Sequence, residues 1–207
     1  MLVVWGLLLV FFLVSLVLGR WSLAFVSMAT LVLALAPVAL ASRLEITLPL
    51  PFLLATTTFI FGSIFMGETL DFYERVWWWD IALHGMSAVG FGMIGFLFVF
   101  MLFEGDRFAA PPSALALITF CIAMTVGAMW EIFEFAMDFT FGLSMQKSGL
   151  NDTMGDIIVD ALGAGTAAVS GYFYLRGHAS GIFASAITQF VERNKRLYEK
   201  SKTRLKR

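Results

Sequence analysis

Lysine and arginine are absent from every long apolar run of this 207-residue chain, and cysteine is nearly absent from the chain as a whole. The single cysteine, Cys121, excludes an internal disulfide and a cysteine-ligated metal or cluster site. Only two histidines occur, His84 and His178, and His178 lies near the end of the last apolar run, so bis-histidine haem ligation has no suitable pair. With no lysine inside an apolar run, a retinal-type Schiff base has no attachment point. Charged residues make up only 14% of the chain. No succession of short alternating segments reads as barrel strands, and no polar stretch long enough for a separate soluble domain interrupts the apolar runs.

What is present is apolar. Hydrophobic residues account for 59% of the chain, with 22 phenylalanines and 6 tryptophans, and mean hydropathy is +0.85. Six apolar runs cover residues 2–18, 22–41, 48–66, 77–103, 114–141 and 151–174. Most approach or exceed the ~20 residues that a helix needs to cross a hydrocarbon core of about 30 Å. The first run lacks a basic leader and a small-residue cleavage site, so a retained helix is expected there rather than a signal peptide. The expected fold is all-α: a polytopic transmembrane helix bundle of about six membrane-spanning helices in residues 1–176, followed by a basic amphipathic C-terminal helix in the tail 177–207. Trp77, Trp78 and Trp79, beside the charged segment 67–75, suit an aromatic belt at the membrane surface.

The net charge of −1 hides an asymmetry, because nine of the fourteen lysines and arginines lie at or after Arg176. By the positive-inside rule this places the C-terminus in the cytoplasm, and six crossings place the N-terminus there too, in a bacterial inner membrane. In the tail, Ile187, Phe190, Val191 and Leu197 are spaced for one apolar helix face opposite a cationic one. Such a helix either lies along an anionic membrane surface, where each basic residue contributes about 1 kcal/mol, or acts as a topological anchor alone.

Acids interrupt the last three runs in a pattern. Asp80 and His84 are one turn apart near the start of the fourth run. Glu131, Glu134 and Asp138 fall at i, i+3 and i+7, on one helix face, and Asp156 and Asp160 at i, i+4 form another. The expected topology carries all seven to the outer leaflet, together with Glu68, Asp71 and Glu74 of the preceding polar segment. Carboxylates inside a bilayer are costly and mark ion pathways, proton relays or metal sites. The donor types suit a divalent metal of the Mg²⁺, Mn²⁺, Fe²⁺ or Zn²⁺ class, with Asp80, His84, Glu131, Glu134, Asp156 and Asp160 as candidate ligands. Asp138, Asn151 and Asp152 complete the polar cluster. Asp80, Asp138 and Asp152 serve equally well as helix caps in contact with water. In a metal-dependent enzyme acting on a lipid headgroup at the outer leaflet, Glu134 is the candidate general base.

The motifs Trp-Trp-Asp-x3-His (78–84), Gly-Ala-x-Trp-Glu-x2-Glu (127–134) and Asn-Asp-Thr-x2-Asp-x3-Asp-x2-Gly (151–163) resemble those of the YjdF-type bacterial inner-membrane proteins, a family of unknown function. More distantly they resemble the VanZ-like proteins linked to glycopeptide resistance. The resemblance covers about residues 52–174 and implies a small multi-helix inner-membrane protein with an acidic motif set, and no particular activity. Three function classes therefore stand side by side: a lipid-headgroup enzyme, a cation or proton transport protein, and a non-catalytic subunit or scaffold of a larger membrane complex. The absence of an arginine pair suited to clamping a phosphate counts against a phosphatase. The absence of an internal repeat counts against a transporter. The expected partners are the lipid bilayer and membrane proteins, including further copies of this chain, with no nucleic acid.

Overall fold

The computed structural model describes residues 1–103, 110–178 and 181–196. The segment 104–107, expected to end the fourth run, and the basic residues after 196 lie outside these. Every regular element among the described residues is helical: α1 (Leu2–Val17), α2 (Trp21–Arg43), α3 (Leu50–Ile60) continuing into a π-helical segment (Phe61–Thr69), α4 (Phe72–Arg75), α5 (Trp79–Leu102), α6 (Pro112–Phe141), α7 (Leu150–Leu175) and α8 (Ile182–Arg193). The polytopic helical bundle forms as expected. Five helices have the length and composition to cross a membrane, counting Leu50–Thr69 as one. The first apolar run forms only the 16 residues of α1. At 1.5 Å per residue these span about 24 Å, short of a full hydrocarbon core.

Two compact units divide the chain, Met1–Leu83 and His84–Arg207, with the boundary inside α5. In the first unit, α1 and α2 meet through buried small and polar residues: Ser15 of α1 and Ala24, Ser27, Thr30 and Ala34 of α2. Ser27 and Thr30 donate their hydroxyls to the carbonyls of Leu23 and Val26 in their own helix, each at 2.7 Å. They are thus buried without needing a partner from another helix. The π-helical segment is held from outside: Trp79 Nε1 donates to the Gly62 carbonyl at 3.2 Å, and the Tyr73 ring packs against Gly67, where any side chain would collide with it. Trp77 and Trp78 are exposed, whereas Trp79 of the same triplet turns toward the π-helical segment.

The second unit is built on close helix approach. Without water to drive apolar surfaces together, helices in lipid gain association energy from tight packing, which small residues permit. A Cβ on Gly163 of α7 would sit 2.7 Å from Ala88 Cβ and 2.9 Å from the Gly85 carbonyl of α5, and a Cβ on Gly92 would overlap Ala167. Gly95 of α5 makes a similar close approach to Ile122 of α6. Toward the C-terminal ends of α5 and α7 the packing turns aromatic: Phe96, Val99, Phe100, Leu115, Tyr174, Leu175 and Ile187 form one buried cluster. Ile187 belongs to α8, and Phe183, Ala184 and Val191 of the same helix pack around it. The apolar face of the amphipathic C-terminal helix is therefore spent on the bundle itself.

Candidate metal centre

Helix α6 is inverted relative to a soluble helix. Met129, Ile132, Phe133 and Phe135 are exposed, while Glu131 and Glu134 are 3% and 8% exposed. Because 127, 131, 134 and 138 recur at helical spacing, the inward stripe reads Gly127, Glu131, Glu134, Asp138. On α7 the i, i+4 pair Asp156 and Asp160 is turned inward at 3% and 1% exposure, and on α5 His84 is 6% exposed. None of α5, α6 and α7 contains a lysine or arginine.

His84 stands between the two acidic helices. Its Nδ1 is 3.4 Å from Asp160 Oδ2 on α7, and its Nε2 is 3.7 Å from Glu131 Oε1 on α6. One ligand atom from each of His84, Glu131 and Asp156 lies within 4.8 Å of the others. Metal–ligand bonds of about 2.1 Å would draw such atoms to roughly 3 Å apart, a change within reach of side-chain rotation. Both Glu131 oxygens and Asp160 Oδ1 are buried without a hydrogen-bond partner among the described residues. The Thr153 hydroxyl is a side-chain donor directed at Glu131, and it stands outside hydrogen-bond geometry, leaving a weak contact at most. Buried carboxylate oxygens with no donor are rare because the desolvation cost is not repaid. Three carboxylates around one imidazole, with no cationic side chain on any of the three helices, make a place that attracts a cation.

The other sequence-derived candidates are placed differently. Glu134, one turn past Glu131, accepts a hydrogen bond from Trp130 Nε1 at 2.9 Å. Asp80 occupies the first turn of α5, within the N-terminal unit. Asp138 accepts from the backbone N–H groups of Met145 and Gln146 at 2.7 and 2.9 Å, and Asp152 from that of Lys147 at 3.1 Å. These two acids brace the connection between α6 and α7. Asn151 is exposed at the start of α7. Glu68, Asp71 and Glu74 are exposed in the N-terminal unit, where Asp71 pairs with Arg75 at 3.0 Å. Cys121 is exposed and far along α6 from the acids. Gly127, which carries no chemistry of its own, has a part in the site that residue-type reasoning passes over: a Cβ there would overlap the Asp160 carboxylate, 2.8 Å from its Cγ. Its one sequence signal is a glycine in mid-helix, which costs about 1 kcal/mol relative to alanine and so wants a reason.

The fold and the site together define a helical membrane protein with a buried carboxylate–imidazole cluster inside its C-terminal bundle. The chain belongs to the DUF2238 family of predicted membrane proteins, whose model matches residues 1–177. It is similar to an uncharacterized protein of Thermotoga maritima, with 34% identity over 109 residues, covering 53% of this chain and 55% of the relative. The match thus spans about half the length of each. No solved structure matches.

Proposed function

We propose that this protein binds one divalent metal ion within its C-terminal bundle, with His84, Glu131 and Asp156 as ligands. The observation that carries this reading is Glu131: it is buried, neither oxygen meets a donor at hydrogen-bond geometry among the described residues, and it faces His84 with no lysine or arginine on α5, α6 or α7. Mg²⁺, Mn²⁺, Fe²⁺ and Zn²⁺ all accept carboxylate oxygen, and the imidazole tilts the set toward the last two. Asp80, a candidate ligand by spacing, has no part in this trio. The narrower YjdF-type and VanZ-like resemblance rests on motifs that contain these same residues and adds no activity to the reading.

For the reaction, the reading is a metal-dependent enzyme acting on a lipid headgroup: His84, Glu131 and Asp156 would hold the ion, the ion would supply an activated water, and Glu134 would serve as the general base. Depth supports a headgroup. Glu131 lies about 15 Å from the C-terminal end of α6 and Asp156 about 9 Å from the start of α7, at 1.5 Å per residue, so the site is nearer the α6–α7 connection than the middle of the bundle. The positive-inside rule, applied to the basic tail, favours the outer side for that connection. This orientation depends only on α7 being the last crossing, and it holds whether or not α1 crosses.

The test is metal content. Protein purified in detergent without chelators is expected to carry close to one equivalent of a divalent metal by mass spectrometry, lost in Glu131→Gln combined with Asp156→Asn. A wild-type protein that takes up no metal after supplementation with Mn²⁺, Fe²⁺ and Zn²⁺ would sink the reading and bring the proton-relay and scaffold alternatives forward.

A further inference from the structure

The two carboxylates beside His84 are not equivalent. Glu131 faces Nε2 and belongs to the trio that can converge on one ion, whereas Asp160 faces Nδ1 and stands outside that trio. A neutral imidazole carries one proton, and the hydrogen bond made by one nitrogen decides which nitrogen is left bare for a metal. Imidazoles that ligate metals commonly donate their second N–H to a carboxylate, which fixes the ring and raises its basicity. The approach of Asp160 to His84 depends in turn on a gap in the facing helix. Asp160 Oδ2, the oxygen nearest Nδ1, occupies the space where a side chain on Gly127 would begin.

We propose that Asp160 is a positioning residue: it accepts the Nδ1 proton of His84 and thereby presents Nε2 to the metal, and Gly127 is the cavity in α6 that admits its carboxylate. This rests on the metal reading above and assigns Asp160 to the second sphere instead of the ligand set. Metal at Nε2 would withdraw electron density from the ring and strengthen the Nδ1–H donor toward Asp160, whose Oδ2 lies 3.4 Å from Nδ1. Gly127 and Glu131 are one turn apart on the same face of α6, so one stripe both makes room for the orienting acid and supplies the ligand that faces the oriented ring.

Two histidines in the whole chain make the imidazoles directly readable. In ¹⁵N-histidine-labelled, Zn²⁺-loaded protein, with His178→Gln to identify the remaining signals, His84 is expected to show a metal-bound Nε2 and a protonated Nδ1. Zinc on Nδ1 would overturn this assignment while leaving the metal reading intact; no zinc at all would overturn both. Affinity provides the second arm. Asp160→Ala is expected to weaken Zn²⁺ binding by about 10- to 100-fold, the usual second-sphere range, and Asp160→Asn by less, because the amide oxygen still accepts. Gly127→Ala is expected to weaken binding over the same range in the wild-type background and to add nothing in Asp160→Ala, where the displaced atoms are gone. Additive losses in the double variant would show that Gly127 acts through helix packing and overturn its assigned part.

Discussion

The same three helices build two very different ends of the C-terminal bundle. At one end Phe96, Phe100 and Tyr174 meet with ring centroids 5.8 to 6.2 Å apart, and Ile187 of α8 closes the cluster with no exposure at all. At the other end, burial is just as complete but the buried groups are His84, Glu131, Asp156 and Asp160. The small-residue seam of α5 against α7 joins the two, through Gly92 with Ala167 and then Ala88 with Gly163. Aromatic rings fill their space and satisfy one another. Glu131 and Asp160 fill theirs and leave oxygens without donors among the described residues. One end is therefore complete as protein, and the other is the end that the proposed metal would complete. Apolar packing and the polar cluster are separated along the helix axes, so contacts at the apolar end can offset the cost of burying the cluster at the other.

The largest effect that bears on this contrast belongs to the apolar end. Phe96 is fully buried and stacks on Phe100, so Phe96→Ala is expected to cost about 3–5 kcal/mol. Thermal unfolding in detergent should show a large drop in Tm while metal bound per folded molecule stays at the wild-type level. Loss of metal in proportion to loss of stability would break the separation, since the two ends would then be one cooperative site.

The next effect belongs to the polar end. A ligand that binds the folded state alone adds RT ln(1 + [L]/Kd), or about 2.7 kcal/mol at a hundredfold excess over Kd. The wild-type protein is therefore expected to gain stability as Zn²⁺ or Mn²⁺ is titrated, and Glu131→Gln to gain little, in the same thermal assay. Equal stabilisation of both proteins would place the ion elsewhere and remove the difference drawn between the ends.

Much of this was legible in the sequence, for reasons that residues 127–163 make plain. Helical spacing alone put Glu131 with Glu134 and Asp156 with Asp160, because i, i+3 and i+4 share a face. Apolar run length alone announced the crossing helices. What spacing does not carry is which acid meets which partner across helices. His84 and Asp160 are 76 residues apart, and nothing local distinguishes an acid that faces a ring nitrogen from one that braces a loop. The tail shows the same limit. The alternation of Ile187 and Val191 with polar residues announces an amphipathic helix, but a lipid surface and a protein core look alike to an apolar face. Only the packing around Ile187 decides between them. The length of α1 was lost for a simpler reason: 2–18 is apolar to its end, and the helix stops where Gly19 takes a positive φ of 68°.

The smallest effect separates acids within the polar end itself. Asp138 shares the inward stripe of α6 with Glu131 and Glu134, and its place near the end of the run leaves a capping role and a site role equally open. Both of its oxygens are occupied by backbone donors, Met145 N–H and Gln146 N–H, so it is already satisfied in the way that Glu131 is not. Removing a partner from a buried or half-buried donor costs about 1–3 kcal/mol for each group left unmade, less where water can enter, as at this partly exposed connection. Asp138→Ala is therefore expected to lower stability by about 1–2 kcal/mol and to leave bound metal and its affinity unchanged. Denaturation and metal titration on the same preparation read both quantities. Metal lost without a loss of stability would reverse the assignment, making Asp138 part of the cluster and the α6–α7 connection part of the site.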